Sequence, residues 1–490
     1  MKKSVQLLTG LVLLNLFIRA LIAYFLEFGN DEVYYVKYVE YPDWSHFDHP
    51  IMVQLMGQFT SLNNLLYHEF FYRLGAVLIG SFNTLLVYFI ARELYHEKAA
   101  FWAAILYNTG IYTALIVGVF FMPDAPLLLF WLIALYYGIR FVNEDKNIYL
   151  IAFSIAVLFA VMSKYQAVFL WFGMMLYILV YRRKLLFSPV LYIAIFVSIL
   201  GLLPTLYWNI DHQFANFKFH TERVGSTKLF AYFPRELFGQ LIYNNPILVV
   251  VSFVFLFKLI KARKIEQTQA FILFTSLPLI VVSILLSIGT ESLPHWSGPS
   301  YVGLLILSSV LYANSTHLAI WGKIAIVSIY VLFVFAYVEI QNGFLMNNIV
   351  QKQEWQIKGK NDFTQDTYGW LQLGAKIQPI LAKYPETQLI VSHNWFPASH
   401  LDFYVAKPNS LEVMVVGPAK ALHEYYYIQQ KTNVRGSHNS AFFIESSNHR
   451  SAIEQLSAYL PLQSQELIDS VMITRRNDTI RVEKIYRVSW

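Results

Sequence analysis

Long apolar runs recur along the first two thirds of the chain, separated by short polar breaks. A bilayer core takes about 20 mostly apolar residues per helix. By that measure about eleven runs predict membrane helices, near 5–26, 71–91, 99–118, 124–141, 148–163, 165–181, 187–207, 239–258, 269–289, 298–313 and 318–339. The first is long, lacks a small-x-small cleavage site and is followed by further spans, so it reads as a retained helix rather than a signal peptide. After residue 340 the pattern changes. β-rich apolar runs at 388–392, 412–416, 441–444, 470–474 and 479–488 alternate with helical patterns near 368–383, 398–405, 420–430 and 450–459, with Asp366 placed to cap the first of these helices. This predicts a membrane part, 1–340, with outer loops 27–70 and 208–238, and a C-terminal α/β domain, 341–490.

Composition agrees. The 490 residues are 56% hydrophobic, 17% aromatic and 14% charged, with mean hydropathy +0.45, whereas a soluble chain carries about 25% charged residues. There is no cysteine, which excludes disulfides, thiol nucleophiles and Cys-ligated metals. The net charge of +6 is modest, and no basic stripe suggests a nucleic-acid groove.

The basic residues report topology instead. With Lys2 and Lys3 inside, the loops holding Arg92 and Lys98, Arg140 and Lys146, Arg182 to Lys184, and Lys258 to Lys264 fall on one side, the cytoplasm. The tail then lies outside. The opposite face receives the two long loops and the unusual polar residues: Asp31, Glu32, Asp43, Asp48, His49, Asp211, His212, His220, Glu222, Arg223 and Arg235. A transporter of polar cargo places ionisable groups near mid-membrane; here they gather at span ends.

Each cluster has a chemical and a structural reading. The acidic pair Asp31-Glu32 can hold a general base or lie in the first turn of a helix opened by Asn30-Asp31. Asp48 and His49, with His46, can ligate a metal, or belong to an interfacial loop in which Pro50 opens an amphipathic helix over 50–66. Asp124, between Pro123 and Pro126, suits a helix N-cap, yet its carboxylate faces the same compartment as Asp31. Lys164, a lone cation at an outer turn, suits a phosphate or a snorkelling role. His220, Arg223 and Arg235 can hold a lipid phosphate or bind headgroups without catalysis. His295-Trp296 can offer a donor and an aromatic sugar platform, or form part of an aromatic belt. No Walker loop, GxGxxG, HExxH or identifiable Ser-His-Asp set is present.

Taken in order, the acidic pair after the first span, Phe47-Asp48-His49-Pro50, Pro123-Asp124-Ala-Pro126, Ser163-Lys164-Tyr165, Pro204 to Trp208-Asn209, and His295-Trp296 to Pro299 and Tyr301 resemble the bacterial membrane glycosyltransferases of family 39 type, relatives of protein O-mannosyltransferases and lipid A aminoarabinose transferases. The resemblance covers about 25–305 well and the tail weakly, through 399–404. It implies a GT-C fold, a polyprenyl-phosphate sugar donor and a lipid, glycan or protein acceptor at an extracytoplasmic site of the inner membrane. By position, Asp31 resembles the family's catalytic acid, with Glu32 beside it. Lys164 and the cations of 209–235 resemble donor-phosphate ligands, and Asp48, His49, Asp124, His295 and Trp296 take substrate-binding positions. His295-Trp296 stands where relatives often show Asn-Trp. No cofactor is certain; a divalent metal on the first-loop acids and histidines is the open possibility. The competing readings are a lipid-linked glycan flippase and a non-catalytic scaffold. The acids of the opening loop and the cations of later loops are expected to serve one pocket.

Overall fold

The computed structural model describes residues 2–222, 229–448 and 453–490. It divides into two compact units: Met1–Tyr24 with Pro42–Val331, and Phe25–Tyr41 with Leu332–Trp490.

Among the described residues, six helices are long and apolar enough to cross a membrane: Ser4–Phe25, Glu69–Leu94, Asp124–Glu144, Pro189–Asp211, Gln267–Leu286 and Thr316–Asn342. Phe233–Tyr243 and Pro246–Ala262 make a seventh candidate, bent by 95°. The bend falls where Asn245 takes a left-handed backbone, φ +65°, and its side chain accepts from Ile247 N at 3.1 Å. The other expected runs lie on shorter helices, Glu97–Tyr107, Asn147–Val161, Val168–Tyr181 and Gly298–Asn314. The run expected over 99–118 is interrupted: its helix stops at Tyr107, and Tyr112–Ile116 forms a π-helical turn. Small residues bring the helices of the first unit together, as in other membrane bundles. A Cβ on Gly173 would meet the Thr275 backbone at 2.6 Å. Trp131, Tyr107, Tyr112, Tyr177 and Tyr312 fill the core.

The second unit is a five-stranded sheet, β1 (Leu389–His393), β2 (Glu412–Val416), β3 (Ser440–Ser446), β4 (Ser464–Arg475) and β5 (Asp478–Ser489), in the order β2-β1-β3-β5-β4. β1 pairs in parallel with β2 and β3, while β5 runs antiparallel to β3 and β4. Strand β1 is buried throughout, as a central parallel strand is. All five expected β-rich runs fall on these strands. The helix Trp370–Leu381 is not capped by Asp366. Gly369 occupies the cap, and the Glu27 carboxylate accepts from Trp370 N at 2.7 Å.

Residues 25–41, read in sequence as the start of a loop of the membrane part, pack in this second unit. Helix Asn30–Glu40 buries Val33, Tyr34, Tyr35, Val36, Tyr38 and Val39. Tyr34 Oη accepts from Glu424 N at 3.1 Å, and Tyr404 Oη accepts from Phe28 N at 2.8 Å.

Candidate functional site

In the first unit the site is built from a loop, a turn and two helix starts. Pro123 and Pro126 suit the first turn of the helix Asp124–Glu144, where missing amide donors cost nothing. Asp124 is thus the first helical residue, yet its carboxylate is not spent on the amides of its own helix. It turns instead to Lys164, whose Nζ donates to Oδ2 at 2.8 Å. Lys164 leaves a helix end with extended backbone, φ −160°, which carries its side chain inward. The ammonium is 3% exposed and the carboxylate 0%. The expectation of an outer-surface cation is therefore corrected: Lys164 is buried because a buried carboxylate matches it.

The pair is electrically matched but chemically incomplete. Asp124 Oδ1 and the Tyr112 hydroxyl are both buried and close enough to act on one another, and neither meets the hydrogen-bond geometry with any described residue. An ammonium has three donors, and Asp124 is the hydrogen-bond partner of Lys164 among the described residues. His295 and His49 also act on Asp124.

His49 belongs to the loop 42–50, which is pinned on several sides. Ser45 and Pro50 bridge, and His46 N donates to His49 O at 3.1 Å. Asn216 Nδ2 donates to Phe47 O at 2.7 Å, and Asn216 Oδ1 accepts from Tyr165 Oη at 2.9 Å. Met52 N donates to Met162 O at 3.1 Å, tying the loop to the turn that presents Lys164. The amphipathic helix expected over 50–66 runs only from Met52 to Thr60, because Leu62, Asn63 and Asn64 turn left-handed.

His295 sits on the 3-10 turn Pro294–Ser297. Some of its ring surface stays open, but the surroundings are dense enough that burial pushes the imidazole down to about 4; Asp124 opposes this and Lys164 adds to it. The turn is held by a buried acid that the sequence reading missed. Glu236 accepts from Ser292 Oγ at 2.8 Å and from Gln240 Nε2 at 2.7 Å, and Tyr301 Oη donates to Gln240 Oε1 at 2.8 Å. Gly239 lies against Pro294, where a Cβ would come within 2.3 Å of the ring. Trp296 is half-buried on the same turn.

The remaining candidates scatter. Asp48 is buried and acts electrostatically on Tyr165. Arg235 is half-exposed; one of its nitrogens pairs with Glu291 at 2.9 Å and donates to Ser292 O at 3.3 Å, so it also ties down the His295 loop. His220 lies on helix Ala215–Glu222, and Arg223 lies outside the described residues. Among the described residues no three His, Asp or Glu gather as metal ligands.

Asp31 and Glu32 belong to the second unit. Glu32 is buried and its carboxylate accepts from Gly29 N at 3.1 Å, closing the start of helix Asn30–Glu40. Asp31, one position earlier, is exposed. The helix-start reading holds for the pair and leaves Asp31 accessible. Asn30 Oδ1 meets His400 Nε2 at 3.1 Å.

One cation inside the bilayer was legible and passed over. Arg19, in the first span, is 3% exposed; it donates to Asn108 Oδ1 at 2.8 Å and to Ser81 Oγ at 3.4 Å. An arginine in an apolar run is itself a signal, and two of its contacts, Asn108 just before and Thr113 O within, hold the irregular turn that carries Tyr112.

Residues 48–208 match the family described as dolichyl-phosphate-mannose-protein mannosyltransferase; that stretch contains His49, Asp124 and Lys164. No curated protein matches. Among solved structures, the chain superposes on ArnT from Cupriavidus metallidurans in the apo state, with TM-score 0.64 and 16% identity over 98% of this chain and 97% of that one. ArnT from the same organism bound to undecaprenyl phosphate gives 0.66, with the same identity and coverage. The likeness includes the tail, where the sequence resemblance is weak. The chain is thus a multi-pass membrane protein with the ArnT fold, the GT-C architecture expected from its motifs.

Proposed function

We propose that this chain is a glycosyltransferase that moves a sugar from a polyprenyl-phosphate donor to a lipid, glycan or protein acceptor at the extracytoplasmic face of the inner membrane. The observation that carries the proposal is the buried Asp124–Lys164 pair, in which one carboxylate oxygen has no hydrogen bond to any described residue. It lies inside the stretch that matches a dolichyl-phosphate-mannose transferase family. A buried pair built only for stability would use that capacity within the protein. A pair that receives a phosphate leaves it open. The undecaprenyl phosphate bound to a protein of the same fold supports the lipid class.

In the proposed reaction an acceptor oxygen attacks the anomeric carbon. The bond from that carbon to the phosphate oxygen breaks with its electron pair, releasing polyprenyl phosphate, and the acceptor proton passes to a carboxylate. Asp31, exposed at a helix start and so able to meet an acceptor, is the proposed base. Lys164 takes the developing phosphate charge in a shielded setting, where a fixed cation acts most strongly. Arg235, His220 and Arg223 remain proposed secondary phosphate contacts. His295, Trp296, His49 and Asp48 are proposed to line the sugar side. With its imidazole pushed down to about 4, His295 stays neutral near pH 7 and serves as a hydrogen-bonding group rather than a cation. A single displacement inverts the anomeric centre.

The test is transfer of labelled sugar by the full chain in lipid vesicles supplied with polyprenyl-phosphate sugars. Asp31→Asn is expected to abolish transfer with membrane insertion and thermal unfolding unchanged, since the side chain is exposed. Wild-type transfer by that variant removes Asp31 as base.

A further inference from the structure

We propose that the stretch after the last span, 343–360, is a docking surface for anionic phospholipid headgroups, holding the second unit against the bilayer. The inference stands on the membrane reading alone and not on the reaction. The helix Thr316–Asn342 leaves Val334, Phe335 and Tyr337 exposed near its end. At that end the chain turns sharply at Gly343, φ +62°. The buried Glu339 carboxylate fixes the turn, accepting from Leu345 N at 3.1 Å and Met346 N at 2.8 Å. Immediately beyond it Phe344, Leu345, Ile349, Trp355 and Ile357 are all exposed.

These side chains are held out by a closed loop. Lys358 Nζ donates to Val350 O at 3.3 Å, Gly359 N to Gln353 Oε1 at 2.8 Å, and Gln353 Nε2 to Lys360 O at 2.8 Å. Large apolar groups held in fixed positions on a surface mark an interaction site. The chemistry selects the occupant. Arg476 lies over the Phe344 ring at 4.3 Å, and the buried Lys358 backs the Trp355 ring at 5.1 Å. Lys352 and Lys360 add positive charge; Glu354 is the one acid within 343–360, and Asp478 beside Arg476 is hydrogen-bonded to Asn347 at 3.0 Å. Aromatic rings interleaved with cations, continuous with a membrane helix, suit headgroup depth. The excess of positive charge favours anionic lipid.

Because the chain has no cysteine, a single introduced thiol can be labelled without further change. Phe344→Cys, Ile349→Cys and Trp355→Cys, and Gln465→Cys on the exposed part of strand β4 as a control, would each carry an environment-sensitive fluorophore. The full-length protein is placed in vesicles of phosphatidylethanolamine and phosphatidylglycerol. At 344, 349 and 355 we expect a blue-shifted emission, quenching by lipids spin-labelled near the headgroup and loss of quenching by aqueous iodide. At 465 we expect the reverse. Equal iodide quenching at all four sites overturns the proposal. So does protection from iodide without quenching by lipid, which would mean that a protein, a second copy or another chain, covers the surface. The substituted residues are surface-exposed, so at least one variant is expected to retain the wild-type unfolding temperature and give the readout.

Discussion

Both units bury ion clusters, and the one around Lys37 is finished differently from the one around Lys164. In the second unit Lys37 reaches both Glu40 and Asp402, and Lys407 approaches Glu40 at 3.4 Å. Burial opposes the Lys37 charge, but Asp402 and Glu40 outweigh it and hold the ammonium above its ordinary range. The Tyr425 hydroxyl donates to Asp402 at 3.4 Å. In the first unit Asp124 and Lys164 have each other, while one carboxylate oxygen and the nearby Tyr112 hydroxyl lack hydrogen bonds. The saturated cluster behaves as structural glue, since its ions spend their bonding capacity inside the protein. The unsaturated one keeps capacity for something that is not protein. Burial does not distinguish these two clusters; the balance of unused donors and acceptors does.

Breaking the pair in the first unit gives the largest expected effect. Lys164→Met strands a buried carboxylate, which costs about 3–5 kcal/mol, and removes the proposed phosphate contact, so transfer is lost. The double variant Asp124→Asn/Lys164→Met is expected to regain much of the unfolding temperature but none of the transfer. If transfer returns with stability, the pair is structural only and the contrast between the clusters collapses. Lys37→Met removes one partner from the other cluster at a similar cost, again about 3–5 kcal/mol. Here the folded molecules are expected to retain their transfer rate. Thermal unfolding and transfer measured on the same vesicles separate the two outcomes.

What the sequence disclosed follows from which forces are local. The apolar runs, the strands of the tail and the Pro123-Asp124 helix start are set by neighbours in the chain, so their positions were readable. The motif order carried the fold resemblance. The pairing of Asp124 with Lys164 was not readable, because forty residues separate them and each residue alone fits a blander role. Glu236 was missed for the same reason: its partner Ser292 lies 56 positions away. Residues 25–41 read as loop because they follow a span, whereas the helix there buries its aromatic face in the tail unit, which no local pattern announces. Arg19 needed no long-range knowledge, only attention to a charge in an apolar run.

The smallest expected effect, and the sharpest contrast between units, is the sign of the pH dependence. In the first unit burial holds His295 at about 4, below the free value of about 6.5. Between these values the unfolded chain binds more protons. The contribution of neutral His295 is therefore complete above about pH 6.5 and is lost as pH falls towards 4. In the second unit burial raises Glu27 and Glu483 to about 7 from 4.5. There the folded state binds more protons, so their contribution is complete below about pH 4.5 and is lost as pH rises through 7. Asp366 and Asp402, raised by burial, act in the same sense. Two groups of this unit oppose it: Lys37 and Lys407 outweigh burial to lower Glu40, and burial lowers His393. Hydrogen exchange on the intact chain resolves the two trends. On acidification from pH 7 to 5, amides of β3 and β5 are expected to gain protection, and those of helix Phe233–Tyr243, which braces the His295 turn, to lose it. Glu483→Gln keeps the carboxyl position neutral at every pH, so it should flatten the trend in the sheet and leave the helix unchanged. A sheet whose slope survives that substitution would place the proton uptake elsewhere in the unit.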